Sequence, residues 1–325
     1  MRIKRPEVSR WLTLLLPIII VVLFPLAGCQ FGSEDGKLRI GVLPILDVLP
    51  LYVAEQEGYF NQEGIQVELL PFASALERDT AFQADQIDGE VNDLISTVLL
   101  TKDQEKARIV RTAMRATPDK AMFAILAAGS SSIAKPADLK GVEIAVSTNT
   151  VIEYVVDRLL QAEGLADSDI ARTEVSKIPV RLELLSSGQV SAACLPEPLA
   201  SLAIVQGARI VIDDRSHPEF GQSVVTVASR TLGRKPATVK RFLAAYEKAV
   251  AAINAEPQKF RSLLIDKGRV PKPVQDSFQM PVFPKAEVPT DKEVSDVVQW
   301  MKGKGLLDKD LTYDRLVTAS YLPKP

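Results

Sequence analysis

Two successive runs of alternating β-rich and amphipathic segments, followed by a helical end, predict an α/β protein of two sheet-and-helix units. The first run reads β-α-β-α-β-α-β from Lys37 to Ala127, and the second opens at Pro136. From Pro236 onward helical spacing dominates.

Lys37–Leu43 alternates, is rich in strand formers and stops at Pro44, which makes it a strand with its exit loop. Pro50–Tyr59 reads as a short helix, with Pro50 suited to its first turn and Gly58 near its end. Gln66–Leu70 is a strand closed by Pro71. Ser74–Gln86 has helical spacing, with Ser74 as N-cap and Glu77 three residues on, the pattern of a capping box. Asp88–Val91 is a brief strand, Leu94–Thr101 the next helix, and Ala107–Arg111 and Ala121–Ala127 further strands. Strands separated by helices argue a parallel sheet.

In the second unit, Pro136–Leu139 is a turn of helix before strand Val142–Val146, and helix Val151–Glu163 ends at Gly164. Pro179–Ser186 is helical, Val190–Leu195 extended, Glu197–Gln206 helical and Ala208–Ile212 extended. Ser223–Ala228 is a strand able to carry the chain back to the first unit. In Thr238–Ala255 the residues Val239, Phe242, Leu243, Tyr246, Val250 and Ile253 form one apolar stripe, the signature of a packing helix.

Ahead of this lies Arg2, Lys4, Arg5 and Arg10, then the apolar run Trp11–Leu26 interrupted by Pro17 and Pro25, then Ala27-Gly28-Cys29. Basic start, apolar middle and small residues are the layout of a secretory signal, and the run is too short and Pro-broken to favour an uncleaved span. Leu26-Ala27-Gly28-Cys29 resembles the bacterial lipobox, which implies a lipid on Cys29 and a membrane anchor. Residues 30–36 then read as a flexible tether. Without residues 1–28 the chain has 297 residues and a net charge of −5, from 35 Lys+Arg against 40 Asp+Glu. Both signs are interspersed, so nucleic acid is not an expected partner. Cys194 and His217 are the remaining Cys and the one His, too few for a soft-ligand zinc site or for His-dependent nucleophilic catalysis. Cys194 reads as a small buried hydrophobe and His217 as a surface residue.

Several motifs occur in order. Gly41-x-x-Pro44-x-x-Asp47-x-x-Pro50-x-x-Val53-Ala54 is followed by Gly58-Tyr59-Phe60, Glu63-Gly64-Ile65-x-Val67-Glu68 and Gln86-Ile87-Asp88-Gly89. Asp138-Leu139-Lys140-Gly141-Val142 to Val146, Gly188-Gln189-Val190-Ser191-Ala192-Ala193 with Glu197-Pro198, and Gly207-Ala208-Arg209-Ile210-Val211 complete the series. Over Leu38–Ile212 the chain resembles the solute-binding proteins of ABC importers for nitrate, sulfonates, taurine and pyrimidine thiamin precursors, the NMT1/THI5-like group. The resemblance implies a type II periplasmic-binding-protein fold, two lobes with a hinge and a ligand cleft between them. The expected lobes are residues 37–128 plus 223–325, and 129–222.

Strand-to-helix loops bring helix N-termini to such a cleft, where backbone N–H groups suit polar or anionic ligand groups. On that ground the candidate ligand-binding residues are Pro44, Asp47, Asn92, Asp93, Thr148, Asn149, Thr150, Tyr154 and Glu197. Each has a plain alternative: Asp93 or one hydroxyl of Ser147–Thr150 as an N-cap, Asp47 or Glu197 as support for the helix that follows, Tyr154 and Tyr52 as core. Arg115 and Thr117 are expected on the hinge side. Acids at the loop mouths favour a heterocyclic or zwitterionic solute over nitrate, unless Arg111, Arg115 or Arg181 turns inward.

The function implied is a non-enzymatic, lipid-anchored extracytoplasmic receptor without cofactor, acting as a monomer. It would deliver a small solute to a membrane permease driven by a cytoplasmic ATPase; no phosphate-binding Gly-x-x-x-x-Gly-Lys-Ser/Thr loop is present in this chain. A sensor subunit with the same lobes is the alternative. An enzyme like the eukaryotic thiamin-pyrimidine synthases is not expected, because those use a pocket His and a Cys-rich motif that this sequence does not match.

Overall fold

A computed structural model describes residues 36–324, so the expected leader, Cys29 and the tether through residue 35 lie outside it. Among the described residues there are ten strands: β1 (Lys37–Val42), β2 (Gln66–Pro71), β3 (Gly89–Asp93), β4 (Ala107–Met114), β5 (Phe123–Ala127), β6 (Glu143–Val146), β7 (Ala171–Glu174), β8 (Ala192–Pro196), β9 (Arg209–Asp213) and β10 (Ser223–Ala228). They form two five-stranded sheets, β2-β1-β3-β10-β4 and β7-β6-β8-β5-β9. Central strands such as β3, β5 and β10 are buried on both faces, as sheets covered by helices require.

Neither sheet is purely parallel. β1 runs parallel to β2 and β3, whereas β10 is antiparallel to both of its neighbours, β3 and β4. β6 runs parallel to β7 and β8, and β5 is antiparallel to β8 and β9. The cause is direct passage between sheets. A strand entering a sheet without a crossover helix begins at the end its predecessor reached, so it must run back. Phe123 accordingly pairs with Pro196 at the end of β8, and Ser223 with Asp93 and Met114 at the ends of β3 and β4. The two crossings, residues 115–122 and 214–222, therefore join the loop-bearing ends of both sheets.

Phe123–Ala127 corrects the sequence reading. It was expected before the change of lobe at 128/129, but it pairs with β8 and β9 in the second sheet. A fully apolar strand carries no mark of which sheet it will enter. The helix expected over Pro50–Tyr59 is Leu49–Gln56, interrupted at Gly58 (φ 72°) and followed by Tyr59–Gln62. Ser74 caps Ala75–Gln83, accepting from Glu77 N at 3.2 Å, while the Glu77 carboxylate returns to Ala73 N rather than to Ser74 N. Cys194 is fully buried, and His217 is partly exposed beside Glu219.

Helix Pro236–Ala255 buries its predicted stripe against Leu49–Gln56 and Tyr59–Gln62, with Phe242 stacked on Phe60 at 5.9 Å. Helix Asp291–Gly303, opened by a Thr290–Glu293 capping box, packs on Leu94–Thr101. It also reaches helix Val151–Ala162 of the second unit. There Tyr154 Oη and Arg158 Nε donate to Asp296, and Trp300 Nε1 donates to Asp157.

Candidate functional site

The loops after β1, β3, β6 and β8 converge with the crossings, and they carry most of the predicted residues. After β1, half-buried Pro44 leads into a 3-10 turn, Leu46–Val48, that buries Asp47. Asp47 caps no helix: its Oδ1 and the hydroxyls of Ser223 and Tyr246 are buried with no partner in good hydrogen-bond geometry, and the Ser223 hydroxyl lies near enough to the carboxyl to act on it. Burial pushes the Asp47 carboxyl up to about 6, against the pull of the Ser223 hydroxyl and the Arg78 charge.

After β3, Asp93 is the N-cap of Leu94–Thr101, accepting from Ser96 N at 2.8 Å. Asn92 is 3% exposed and internally engaged: Nδ2 donates to Glu90 at 2.7 Å, and Oδ1 accepts from Thr97 and Thr226. The partner Thr226 lies 134 positions along the chain, which no local pattern discloses.

After β6, Thr150 is the N-cap of Val151–Ala162; its Oγ1 accepts from Ile152 N and donates to Ser147 O at 2.7 Å. Asn149 sits at φ 60°, a left-handed conformation that asparagine tolerates. Two carboxylates occupy this turn, Glu174 accepting from Thr148 N and Glu153 from Asn149 N, each at 2.6 Å. Tyr154 is 1% exposed, ringed by Phe220 and Trp300, its hydroxyl bonded to Asp296. Its place is the core, a correction to its reading as a stacking surface. After β8, Glu197 accepts from Ser201 N and Oγ, supporting helix Leu199–Val205, and burial raises its pKa.

Of the three arginines able to turn inward, two are internally paired. Arg111 is held by Glu247, stacks on Tyr246 and donates to Pro284 O; Arg115 joins Gln222, Glu287 and Glu293 at the hinge side. Arg181, on helix Ile178–Ser186, is different. It is fully buried, Nη2 donates to Ser147 Oγ at 2.9 Å, and Nε and Nη1 have no partner. Burial lowers its pKa. A guanidinium withdrawn from water beside a helix N-terminus, with two nitrogens unanswered, has the chemistry to hold an anion. Sequence reasoning could not rank it, because a helical arginine among Leu182 and Leu185 has the spacing of a surface residue.

A cavity of about 610 Å³ lies elsewhere, lined by Ile253, Pro257, Arg261, Phe278 and Met280. None of the loop residues above lines it, and Arg261 there is satisfied by the carbonyls of Gln275, Asp276 and Phe278. Among the described residues no group of three or more His, Cys, Asp or Glu is placed to hold a metal ion.

Two sheets joined by paired crossings, with helix N-termini and a buried cation at their facing ends, define the class of two-lobed solute-binding folds. The chain belongs to the NMT1/THI5-like family, whose model matches residues 46–260. A Bacillus subtilis (strain 168) protein assigned as an aliphatic sulfonates-binding protein is 23% identical over 326 residues, covering 95% of this chain and 96% of its own. The alkanesulfonate-binding protein SsuA of Xanthomonas axonopodis pv. citri, bound to MOPS, superposes with a TM-score of 0.73 at 18% identity, over 88% of this chain and 99% of that one. A variant of the desulfurization enzyme DszB in complex with biphenyl-2-sulfinic acid has a TM-score of 0.67 at 18% identity, over 88% and 97% of the two chains.

Proposed function

We propose that the chain is an extracytoplasmic receptor that takes a small organic sulfonate between its two sheet-and-helix lobes and hands it to an ABC permease. The observation that carries this reading is Arg181. Its unpartnered Nε and Nη1, with Ser147 and the donors at the start of helix Val151–Ala162, suit the oxygens of an anionic head group. Asp47, Ser223 and Tyr246 keep unpartnered buried oxygens in the first unit, suited to N–H or O–H donors on the remainder of the solute. The sulfonate ligand of the matched SsuA and the assignment of the Bacillus relative agree with that chemistry. The lipobox-like Leu26-Ala27-Gly28-Cys29 supports a lipid-anchored receptor outside the cytoplasm, held near its permease.

Binding without catalysis fits the nucleophile inventory. Cys194 lies inside β8, and burial pushes its thiol up to about 12, which leaves it inert at neutral pH. His217 faces Glu219 and stacks on Phe220.

The test is thermal unfolding and calorimetric titration of the purified protein with methanesulfonate, taurine, nitrate and a pyrimidine. A sulfonate at a hundredfold excess over Kd adds about 2.7 kcal/mol of stability. Arg181→Met should abolish that gain while leaving the protein folded, since replacing an unpaired buried charge by an apolar chain of similar reach does not expose the core. Absence of any shift, or binding undiminished in Arg181→Met, would overturn the reading.

A further inference from the structure

The turn after β6 is already filled by the protein's own carboxylates, and the two are not alike. Glu153 is 5% exposed and fixed from the other side: Oε1 accepts from Lys304 at 2.9 Å, with Arg172 at 3.7 Å. It belongs to the buried charge cluster under helix Val151–Ala162, with Asp157 and Trp300. Glu174 is exposed and ends the edge strand β7, in register with Val146, which places its side chain beside the turn. It is held by two neutral donors, Thr148 N–H and Ser176 Oγ–H. The cation that feels it is Arg181, which itself contacts Ser147 of the same turn. An exposed carboxylate on a backbone donor, next to an unsatisfied buried guanidinium, has the form of a bound anion supplied by the protein.

We propose that Glu174 is a resident competitor for the anion position, displaced when a sulfonate binds and setting which anions can enter. This rests on the reading that Arg181 and the Ser147–Thr150 turn receive a sulfonate. The Thr148 N–H becomes available only when Glu174 leaves, and the Glu174 charge opposes any anion that cannot replace its bonds. A spherical anion is therefore disfavoured, while a head group whose three oxygens can take the Thr148 N–H and the free Arg181 nitrogens at once is admitted. Two hydrogen bonds hold Glu174 in place and outweigh its partial burial, keeping its carboxyl below the usual carboxylate range, so it competes as a charged group throughout the neutral range.

The experiment compares wild type, Glu174→Gln and Glu174→Ala by calorimetric titration with methanesulfonate and with uncharged methanesulfonamide, at one ionic strength, with circular dichroism confirming the fold. Glu174→Ala should tighten methanesulfonate about tenfold, the worth of one charge-assisted hydrogen bond returned to the ligand. Glu174→Gln, isosteric and neutral, should tighten it less and leave methanesulfonamide unchanged. Unchanged or weaker sulfonate binding in both variants, or an equal gain for methanesulfonamide, overturns it while leaving the receptor reading intact. Silence of all three proteins towards methanesulfonate overturns both.

Discussion

A buried acid and a buried base sit at the loop ends, and each costs the fold something that a solute would restore. Asp47 has a carboxyl raised from 3.8 to about 6, so its neutral form is the one the interior tolerates. The stability tied to it is fully present below about pH 4 and is lost as pH rises through about 6. Asp47→Asn should therefore stabilise the unliganded protein at pH 7 by about 2–3 kcal/mol. Urea midpoints at pH 4.5 and 7.5 would show a gain of about 1 kcal/mol at the lower pH and the full gain at the higher, while solute affinity falls. An equal gain at both pH values would mean that Asp47 is not the titrating group. These residues also show what the chain discloses. Asp93 and Thr150 are legible caps because an N-cap is read from neighbours within three positions. Asn92 and Tyr154 resemble site residues locally, yet their partners Thr226 and Asp296 lie over a hundred positions away. Arg181 is named beside Arg111 and Arg115 but not ranked above them, because what sets it apart is two nitrogens without partners, and spacing does not encode a lack.

The elements themselves were read best where chemistry is local. Leu94–Thr101, Pro136–Leu139 and Ser223–Ala228 fall where caps, proline and strand formers put them. β7 was missed because Ala-Arg-Thr-Glu is a polar edge strand with no apolar period, recruited by pairing with β6. The helix Asp291–Gly303 lay within a region read only as helical, although its Thr290/Glu293 box is plain in retrospect. Thr290→Ala should cost about 1 kcal/mol, seen as a drop of roughly 2 °C in the melting midpoint. Gly89→Ala should do far more. A Cβ at position 89 would stand 2.9 Å from the Thr226 carbonyl oxygen, backbone that cannot yield without parting β3 from β10. A loss of about 2–3 kcal/mol in urea unfolding is expected, and an unchanged midpoint would show that the two strands are not packed as described.

At the scale of the molecule, the crossings are stitched by one acid. Asp214 is fully buried, and its Oδ1 accepts from Met122 N at 2.9 Å and Phe123 N at 3.2 Å, tying the outgoing segment to the returning one. Burial pushes its carboxyl from 3.8 up to about 7, so the stability it lends is present below about pH 4 and drains away as pH climbs through about 7. Asp214→Asn keeps an acceptor for both N–H groups without the charge; it should exceed wild type by only about 1 kcal/mol at pH 4.5 and by up to about 4 kcal/mol at pH 8.5. A parallel pH profile for the two proteins would remove Asp214 from that role. The return strand has a different consequence, one of timing. β10 lies between β3 and β4, yet it begins at residue 223, more than a hundred residues after β4 ends at Met114. In a chain delivered N-terminus first, β3 and β4 have no strand to join them until about seven tenths of its 325 residues have emerged. The first sheet is thus the last to be finished, and it stays open for most of the chain's synthesis.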